Sequence, residues 1–115
     1  MIKRADKLTT GIVPNLKGGK GSIESKSFLT EEEMHGKGRL FGKSLLKPGV
    51  SIGLHQHEGD CETYYILAGE GTFNDNGEIS TVKAGDLLYT DNGKSHSIEN
   101  TGTCDLEFIA LIIYA

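Results

Sequence analysis

Turn-forming residues divide this chain into short segments, and that division constrains its fold more than any other feature. The 115 residues include 16 glycines but only two prolines. Asp75-Asn76-Gly77 is a strong hairpin turn. Strands are predicted near 38 to 46, 50 to 57, 62 to 68, 71 to 75, 78 to 83, 86 to 90, 95 to 99 and 105 to 114. Many short strands with regularly spaced turns predict an all-β sandwich or barrel around one core.

Four side chains in the middle of the chain have the residue types and spacing of a metal site. His55 and His57 are two residues apart, so on a strand both side chains leave from the same face. Glu62 follows a turn and returns a carboxylate towards that face, and His96 arrives on a later short strand. Three imidazoles and one carboxylate suit a divalent transition metal: Mn, Fe, Ni, Co or Zn. Such a metal is the expected cofactor, with its identity left open.

These four residues lie within two longer glycine-framed patterns. The pattern G-x5-H-x-H-x4-E-x6-G is met at every fixed position, by Gly49, His55, His57, Glu62 and Gly69. The pattern G-x5-P-x-G-x2-H-x3-N is met by Gly85, Gly93, His96 and Asn100, with Asp91 in place of the proline. The chain therefore resembles the cupin family over residues 49 to 100, and in particular small single-domain microbial cupins. The resemblance implies a double-stranded β-helix, or jelly-roll barrel.

One domain is expected over residues 1–115, with an N-terminal arm over 1–36 and the conserved barrel over 37–115. Within the arm, residues 21 to 29 partly alternate polar and apolar side chains, as in an edge strand. The segment from Thr30 to Gly36 then resembles one helical turn, with Thr30 as N-cap, Glu33 completing a capping box and Gly36 ending it.

The ligand set leaves three readings of function open. In a six-coordinate metal, four protein ligands leave two positions free for a bidentate anionic ligand such as an α-keto acid, dicarboxylate or enediolate. One reading is therefore a metal-dependent enzyme of dioxygenase, decarboxylase or isomerase type, acting on a small oxygenated or carboxylate substrate. The alternatives are a non-catalytic module that binds or senses a small molecule, and a purely structural metal site. The enzyme reading is favoured because structural sites are normally closed.

Within the family, the resemblance narrows the substrate only a little. The segment from Lys47 to His57 is similar to oxalate decarboxylases, but those enzymes carry a substrate-binding arginine three residues before the first histidine. This chain has Ile52 there, which argues against oxalate. Thiol dioxygenases generally lack the glutamate, so Glu62 argues against that activity. The substrate is left open.

Few other side chains are candidates for roles at the site. Tyr64 shares the face of Glu62 by strand alternation, so it is the candidate catalytic proton-transfer group. Arg39 and Lys43 share a face of an earlier strand and could hold an anionic substrate if that face is interior, although charged residues are more often outside. His35 has no partner at ligand spacing and is expected outside the site.

Charge and composition exclude several classes of partner. The net charge of −4 and the lack of a lysine or arginine run argue against nucleic acid, and no apolar stretch is long enough for a membrane span. Two cysteines, Cys61 and Cys104, form no disulfide framework, and Cys61 should point away from the metal because it precedes Glu62. With no signal-peptide pattern at its start, the chain is expected in the cytoplasm.

The last strand indicates an oligomer. From Phe108 to Tyr114 its residues are apolar on both faces. The inner face can pack into the barrel, but the outer face needs the N-terminal arm or another subunit to cover it. A homodimer is therefore predicted, as is common among small cupins.

Overall fold

The computed structural model describes residues 1–115, which form ten β-strands and two short 3-10 turns. The strands are β1 (Thr10–Pro14), β2 (Ser22–Ser27), β3 (Gly38–Leu46), β4 (Ser51–Gln56), β5 (Asp60–Ala68), β6 (Glu70–Asp75), β7 (Glu78–Lys83), β8 (Leu87–Thr90), β9 (Ser95–Glu99) and β10 (Leu106–Tyr114). The 3-10 turns span Ala5–Lys7 and Leu16–Gly18. Neither has the length that a helical membrane span requires. The all-β prediction is confirmed.

The strands form two antiparallel sheets that share one core. The larger sheet has the order β1-β2-β3-β10-β5-β8, and the smaller has the order β4-β9-β6-β7. Strands distant in sequence are neighbours, as the pairing of β10 with β3 and β5 shows. The buried apolar side chains of both sheets form a single cluster of Ile23, Leu46, Ile52, Tyr64, Ile66, Phe73, Val82, Ile98, Leu106, Phe108 and Ala110.

The strands predicted from residue 38 onward agree with the structure to within one or two residues. The predicted helical turn also forms: the backbone N–H of Glu33 donates to Thr30 Oγ1 at 3.1 Å, and that of Thr30 donates to Glu33 Oε1 at 2.9 Å. The prediction of an edge strand over residues 21 to 29 is wrong, because β1 pairs with the outer side of β2. Pro14 lies in β1, which fits the true edge of the sheet, where fewer N–H donors are needed.

Glycines allow the N-terminal segment to approach the smaller sheet closely. A Cβ atom on Gly53 would lie 2.0 Å from the carbonyl oxygen of Lys17, and one on Gly19 would lie 2.1 Å from the carbonyl oxygen of Ser51. No side chain fits in either gap, so the turn at Leu16–Gly18 rests directly on β4. The arm expected from the sequence thus extends the larger sheet and also reaches the smaller one.

The two faces of β10 differ in exposure. Leu106, Phe108, Ala110 and Ile112 point inward and are buried. On the outer face Ile113 is 44% exposed, and the neighbouring strands expose further apolar side chains. Strands β1 and β2 continue the sheet beyond β3 and do not pair with β10. The outer face of β10 is apolar, as predicted, and much of it stays accessible in the single chain.

Candidate metal centre

Three strands and a turn bring the four candidate ligands together. His55 on β4 is in register with His96 on β9, so the two imidazoles lie side by side. His57 follows β4 directly, and a turn at Gly59, which has a φ of +80°, leads into β5 and Glu62. One ligand atom from each of the four residues lies within 4.8 Å of the others. The structure thus brings together the four residues that the sequence spacing singled out as candidate ligands.

The distances between the ligand atoms fit a shared ion. The Nε2 atom of His96 lies 3.0 Å from Nε2 of His57, 3.1 Å from Nε2 of His55 and 3.1 Å from Oε1 of Glu62. Oε1 of Glu62 lies 3.2 Å from Nε2 of His57. Ligands about 2.1 Å from one ion are about 3.0 Å apart at neighbouring corners of an octahedron and about 3.4 Å apart in a tetrahedron. The four close pairs match the octahedral spacing better than the tetrahedral one, and the cluster as a whole can hold a metal ion.

Each imidazole has a partner at its second nitrogen. The contacts are His55 Nδ1 with the Gly53 carbonyl oxygen, His57 Nδ1 with Asp60 Oδ1, and His96 Nδ1 with Thr90 Oγ1, each at 2.7 Å. A carbonyl and a carboxylate only accept, so Nδ1 of His55 and of His57 donates. In the neutral rings this leaves the Nε2 lone pairs free towards the cluster. Such partners hold the rings in position for a metal.

Burial and charge act on the cluster in opposite directions. Burial lowers the pKa of His55, whereas the hydrogen bond with Glu62 raises the pKa of His57. Burial alone would raise the pKa of Glu62, but its contacts with the imidazoles of His57 and His96 outweigh burial and lower that pKa. The carboxylate therefore stays ionised, as a metal ligand must be. A divalent ion held by this carboxylate and three neutral imidazoles would give the site a net charge of +1.

Asp60 connects the cluster to Arg39, for which the sequence left the interior and the exterior position open. Its Oδ2 accepts from Nε of Arg39 at 2.9 Å, while Oδ1 accepts from His57. The register of β3 with β10 shifts near Arg39. Ile112 pairs with Leu40 and Ile113 pairs with Gly38, so Arg39 lies between them as an extra residue of β3. A β-bulge turns a side chain away from strict alternation. The bulge explains how Arg39 reaches Asp60.

Tyr64 lies beside the cluster, on the face that alternation predicts. Its ring stacks on that of His96 with centroids 5.2 Å apart, and it is 3% exposed. Burial, together with the negative charge of Glu62, raises the pKa of Tyr64 well above its usual value. The phenol therefore remains protonated at neutral pH.

A cavity of about 220 Å³ adjoins the cluster between the two sheets. His55, His57, Glu62 and Tyr64 line it, together with residues of the N-terminal segment. Arg39 also lines it and is half exposed, with 42% of its side chain accessible. Three of the four candidate ligand residues therefore line a cavity whose wall includes an exposed arginine, and His96 lies outside that lining.

The remaining sequence candidates lie away from the cavity. Lys43 is on the outer face of β3, where it pairs with Glu107 at 3.1 Å, so the proposal that it holds a substrate is wrong. Cys61 and Cys104 are free thiols, and Sγ of Cys61 contacts the carbonyl oxygen of Ile113 at 3.8 Å. His35 is exposed in the helical turn.

The partners of the three imidazoles were not predicted from the sequence: they are Gly53, Asp60 and Thr90. Each acts through a backbone or short polar group whose direction depends on a turn or on a neighbouring strand. The available signal was the position of Asp60 three residues after His57, across the turn. That spacing is common in loops and does not by itself indicate a partner for an imidazole.

Comparison with known proteins identifies the family. The cupin domain family matches residues 42–114, which is more than half of the chain. The chain is a cupin. A match to a solved structure confirms the double-stranded β-helix expected from the resemblance.

Relatives of this cupin include proteins from Thermotoga maritima. The chain is 54% identical over 113 residues to an "Oxalate-binding protein" of that organism, covering 98% of this chain and 93% of the relative. It matches the crystal structure of a "predicted oxalate decarboxylase" from Thermotoga maritima with a TM-score of 0.95 and 53% identity, over 100% of both chains. A Drosophila melanogaster CENP-C cupin domain shares the fold alone, with a TM-score of 0.73 and 19% identity over 96% of this chain and 74% of that one.

The remaining polar residues of the cupin patterns support the barrel. The buried amide of Asn100 donates to the carbonyl oxygens of Leu46 and Cys104, both at 2.8 Å. Asp91, at the position of the missing proline, accepts from the backbone N–H of Asn92 at 2.8 Å. The carbonyl oxygen of Asp91 accepts from Lys94 N at 3.0 Å, which closes the turn before His96. An aspartate thus stabilises this turn without the proline.

Proposed function

We propose that this cupin binds a divalent transition metal through His55, His57, Glu62 and His96 and is a metal-dependent enzyme acting on a small carboxylate or oxygenated substrate. The observation that carries the proposal is the position of the four ligand atoms, 3.0 to 3.2 Å apart along the measured pairs, beside a cavity of about 220 Å³. A purely structural ion needs no cavity.

The protein side chains have distinct tasks in this proposal. When bound, the metal supplies a Lewis acid that polarises a carbonyl or carboxylate oxygen, or a meeting point for substrate and dioxygen. The partners at Nδ1 keep the imidazoles aimed at the ion, and the cavity admits the substrate on the accessible side. Mn, Fe, Ni, Co and Zn all suit this ligand set, and availability decides among them.

Tyr64 is the proposed proton-holding group. Its hydroxyl stays protonated at neutral pH because burial and the charge of Glu62 raise its pKa. It lines the cavity, so it can donate a hydrogen bond, or a proton, to a substrate oxygen near the cluster. In a decarboxylase or isomerase this proton would reach the carbanion or enolate carbon.

A second candidate is a binding protein without turnover. Two observations favour it: the Thermotoga maritima relative is named for binding oxalate, and the non-ligand titratable groups that line the cavity are Lys17, Arg39 and Tyr64. None of these three is an imidazole or a carboxylate, the side chains that most often serve as a general base. Tight ligand binding without product would select this candidate.

Metal analysis and turnover assays test the two candidates together. We expect purified protein to contain one equivalent of metal, and His55→Ala to lose it. His35→Ala is the matched control, because that imidazole is exposed and outside the cluster. Carboxylates and 2-oxo acids are then screened with each metal for binding and for product. Failure to bind any divalent ion would refute the metal site, and tight binding without product would replace the enzyme by the binding protein.

We also propose that two copies of the chain associate as a homodimer in the cytoplasm. Free thiols at both cysteines fit a reducing compartment.

The outer face of the larger sheet exposes apolar side chains on three adjacent strands: Tyr65, Leu67, Leu87, Tyr89 and Ile113, each between 43% and 63% accessible. A contiguous apolar face of this kind favours a partner with the same apolar character, such as a second copy.

A further inference from the structure

The cavity beside the metal centre has two chemically different parts. His55, His57 and Glu62 form one part, where an anionic oxygen would meet the metal. Along β10, Ile112 is in register with Glu62, Ala110 with Tyr64 and Phe108 with Ile66, so the lining at Ala110 and Phe108 lies progressively farther from Glu62. Ala110 and Phe108, together with Leu16 and Ile23, form the apolar part of the cavity lining. A ligand that fills the cavity must therefore combine an anionic end with a hydrocarbon end.

A small residue on the larger sheet contributes to the space. Ala110 on β10 lines the cavity and is in register with Tyr64 on β5, so the wall beside the tyrosine ring carries only a methyl group. Leu16 approaches from the opposite side, held there by the close contact of its turn with Gly53. The size of the cavity thus depends on Ala110 and on the position of the N-terminal turn.

The volume exceeds what oxalate requires. Oxalate has six non-hydrogen atoms, as benzene has, and benzene fills an apolar protein cavity of about 150 Å³. The cavity here is about 220 Å³. Since oxalate would also extend towards the metal, it would leave much of the apolar part unfilled.

The charges around the cavity also disfavour a second carboxylate at the apolar end. The cationic residues that line it are Lys17 and Arg39, and both have exposed side chains. Arg39 is already paired with Asp60. Ser25 and Ser44 also line the cavity, but their neutral hydroxyls suit an uncharged group better than a buried anion.

We propose that the ligand of this cupin is a 2-oxo or 2-hydroxy monocarboxylic acid with a branched or aromatic hydrocarbon substituent. Its carboxylate and neighbouring oxygen face the His/Glu cluster, and its substituent lies among Leu16, Ile23, Phe108 and Ala110. This inference rests on the proposed metal site and names the substrate class for it. It differs from oxalate, which the Thermotoga maritima relative is named for binding.

Calorimetric titration of the Mn²⁺-loaded protein tests the inference. The ligands are 2-oxopropanoate, 2-oxobutanoate, 2-oxopentanoate, 4-methyl-2-oxopentanoate, phenylpyruvate and oxalate. Each added methylene that enters the apolar part should tighten binding about fourfold. Oxalate should bind no more tightly than 2-oxopropanoate.

Two variants locate the effect in the cavity. Ala110→Leu should fill the apolar part, so that 4-methyl-2-oxopentanoate loses its advantage of about 10-fold or more while 2-oxopropanoate binds as before. Leu16→Ala should weaken the longer acids and spare 2-oxopropanoate. The chain-length series in the unaltered protein stands by itself if either variant fails to fold.

The outcomes separate this inference from the metal site. If metal is bound at one equivalent but affinity is flat along the series, or oxalate binds most tightly, the substrate class is wrong and the metal site stands. If no metal is retained and no acid binds, both proposals are refuted. Affinity that rises with chain length and falls in Ala110→Leu supports both.

Discussion

Asp60 is the residue whose replacement tests the metal-site architecture most directly. It is buried and accepts two hydrogen bonds, from Nδ1 of His57 at 2.7 Å and from Nε of Arg39 at 2.9 Å. These two bonds outweigh burial and lower the pKa of Asp60, so it is an anion at neutral pH. Asp60→Asn keeps the size of the side chain but replaces one acceptor oxygen by an amide donor.

The amide can satisfy only one of the two donors. If the amide oxygen accepts from His57 Nδ1, the amide NH2 group is left facing the N–H of Arg39, and two donors meet there. If the amide is turned the other way, its NH2 group faces the N–H of His57 instead. Losing one hydrogen bond between charged partners costs about 1.5–3 kcal/mol. Loss of a partner behind a metal-bound imidazole weakens metal affinity about 10- to 100-fold, which is about 1.4–2.8 kcal/mol. The two estimates agree, so we expect about a 30-fold loss.

Competition with a chromogenic chelator measures the affinity. Asp105→Asn is the matched control, because it makes the same chemical change at a partly exposed aspartate whose ion pair with Lys47 is 3.7 Å long. Its metal affinity should stay within twofold of the unaltered protein, as expected for a weak surface ion pair. Unchanged affinity in Asp60→Asn would show that His57 needs no oriented partner.

A double-mutant cycle then tests the link to Arg39. In Arg39→Met the opposing donor is gone, so the amide of Asp60→Asn is free to turn its oxygen to His57. The loss caused by Asp60→Asn should therefore be smaller in that background by a coupling of about 0.5–3 kcal/mol. Strict additivity of the two changes would contradict the bridging role of Asp60.

Three further predictions concern the surface, the N-terminal turn and acid stability. Leu87→Glu on the outer face should reduce the light-scattering mass from two chains to one at micromolar concentration, and a single-chain mass for the unaltered protein would refute the dimer. Gly53→Ala should destabilise the fold by about 1–3 kcal/mol in thermal unfolding, because its Cβ would lie 2.0 Å from the carbonyl oxygen of Lys17; an unchanged melting temperature would contradict that contact. The hydrogen bond from Lys3 lowers the pKa of Glu33 from 4.5 to about 2. The stability that this contact contributes is therefore present above pH 4.5 and is lost as the pH falls towards 2. An NMR titration midpoint of Glu33 near 4.5 would disprove the contact.

The ligand cluster could be predicted because strand alternation has a period of two. His55 and His57 needed only that rule, and Glu62 and Tyr64 needed it again on the next strand. The same rule put Arg39 and Lys43 on one face, but the bulge in β3 breaks the alternation at Arg39, which lines the cavity while Lys43 does not. Side-chain directions could thus be predicted only where the strands alternate regularly.

Contacts between distant segments could not be predicted in this way. Strand β1 is short and contains Gly11 and Pro14, so its pattern does not stand out as a strand. The approach of the N-terminal turn to β4 depends on Gly19 and Gly53, and an isolated glycine in a sequence does not name the segment that it will touch. The shape of the cavity therefore became known only from the folded chain.

The residues that line the cavity come from two segments of the sequence, and this division bears on how such proteins diverge. Seven of the 16 lining residues precede residue 42, where the match to the cupin domain begins. The four proposed metal ligands all follow it. Mutation or exchange of the first 41 residues could therefore change which ligand the cavity accepts without altering the proposed metal site. Descendants of one ancestral gene could keep an identical metal centre and still separate into lineages with different substrates.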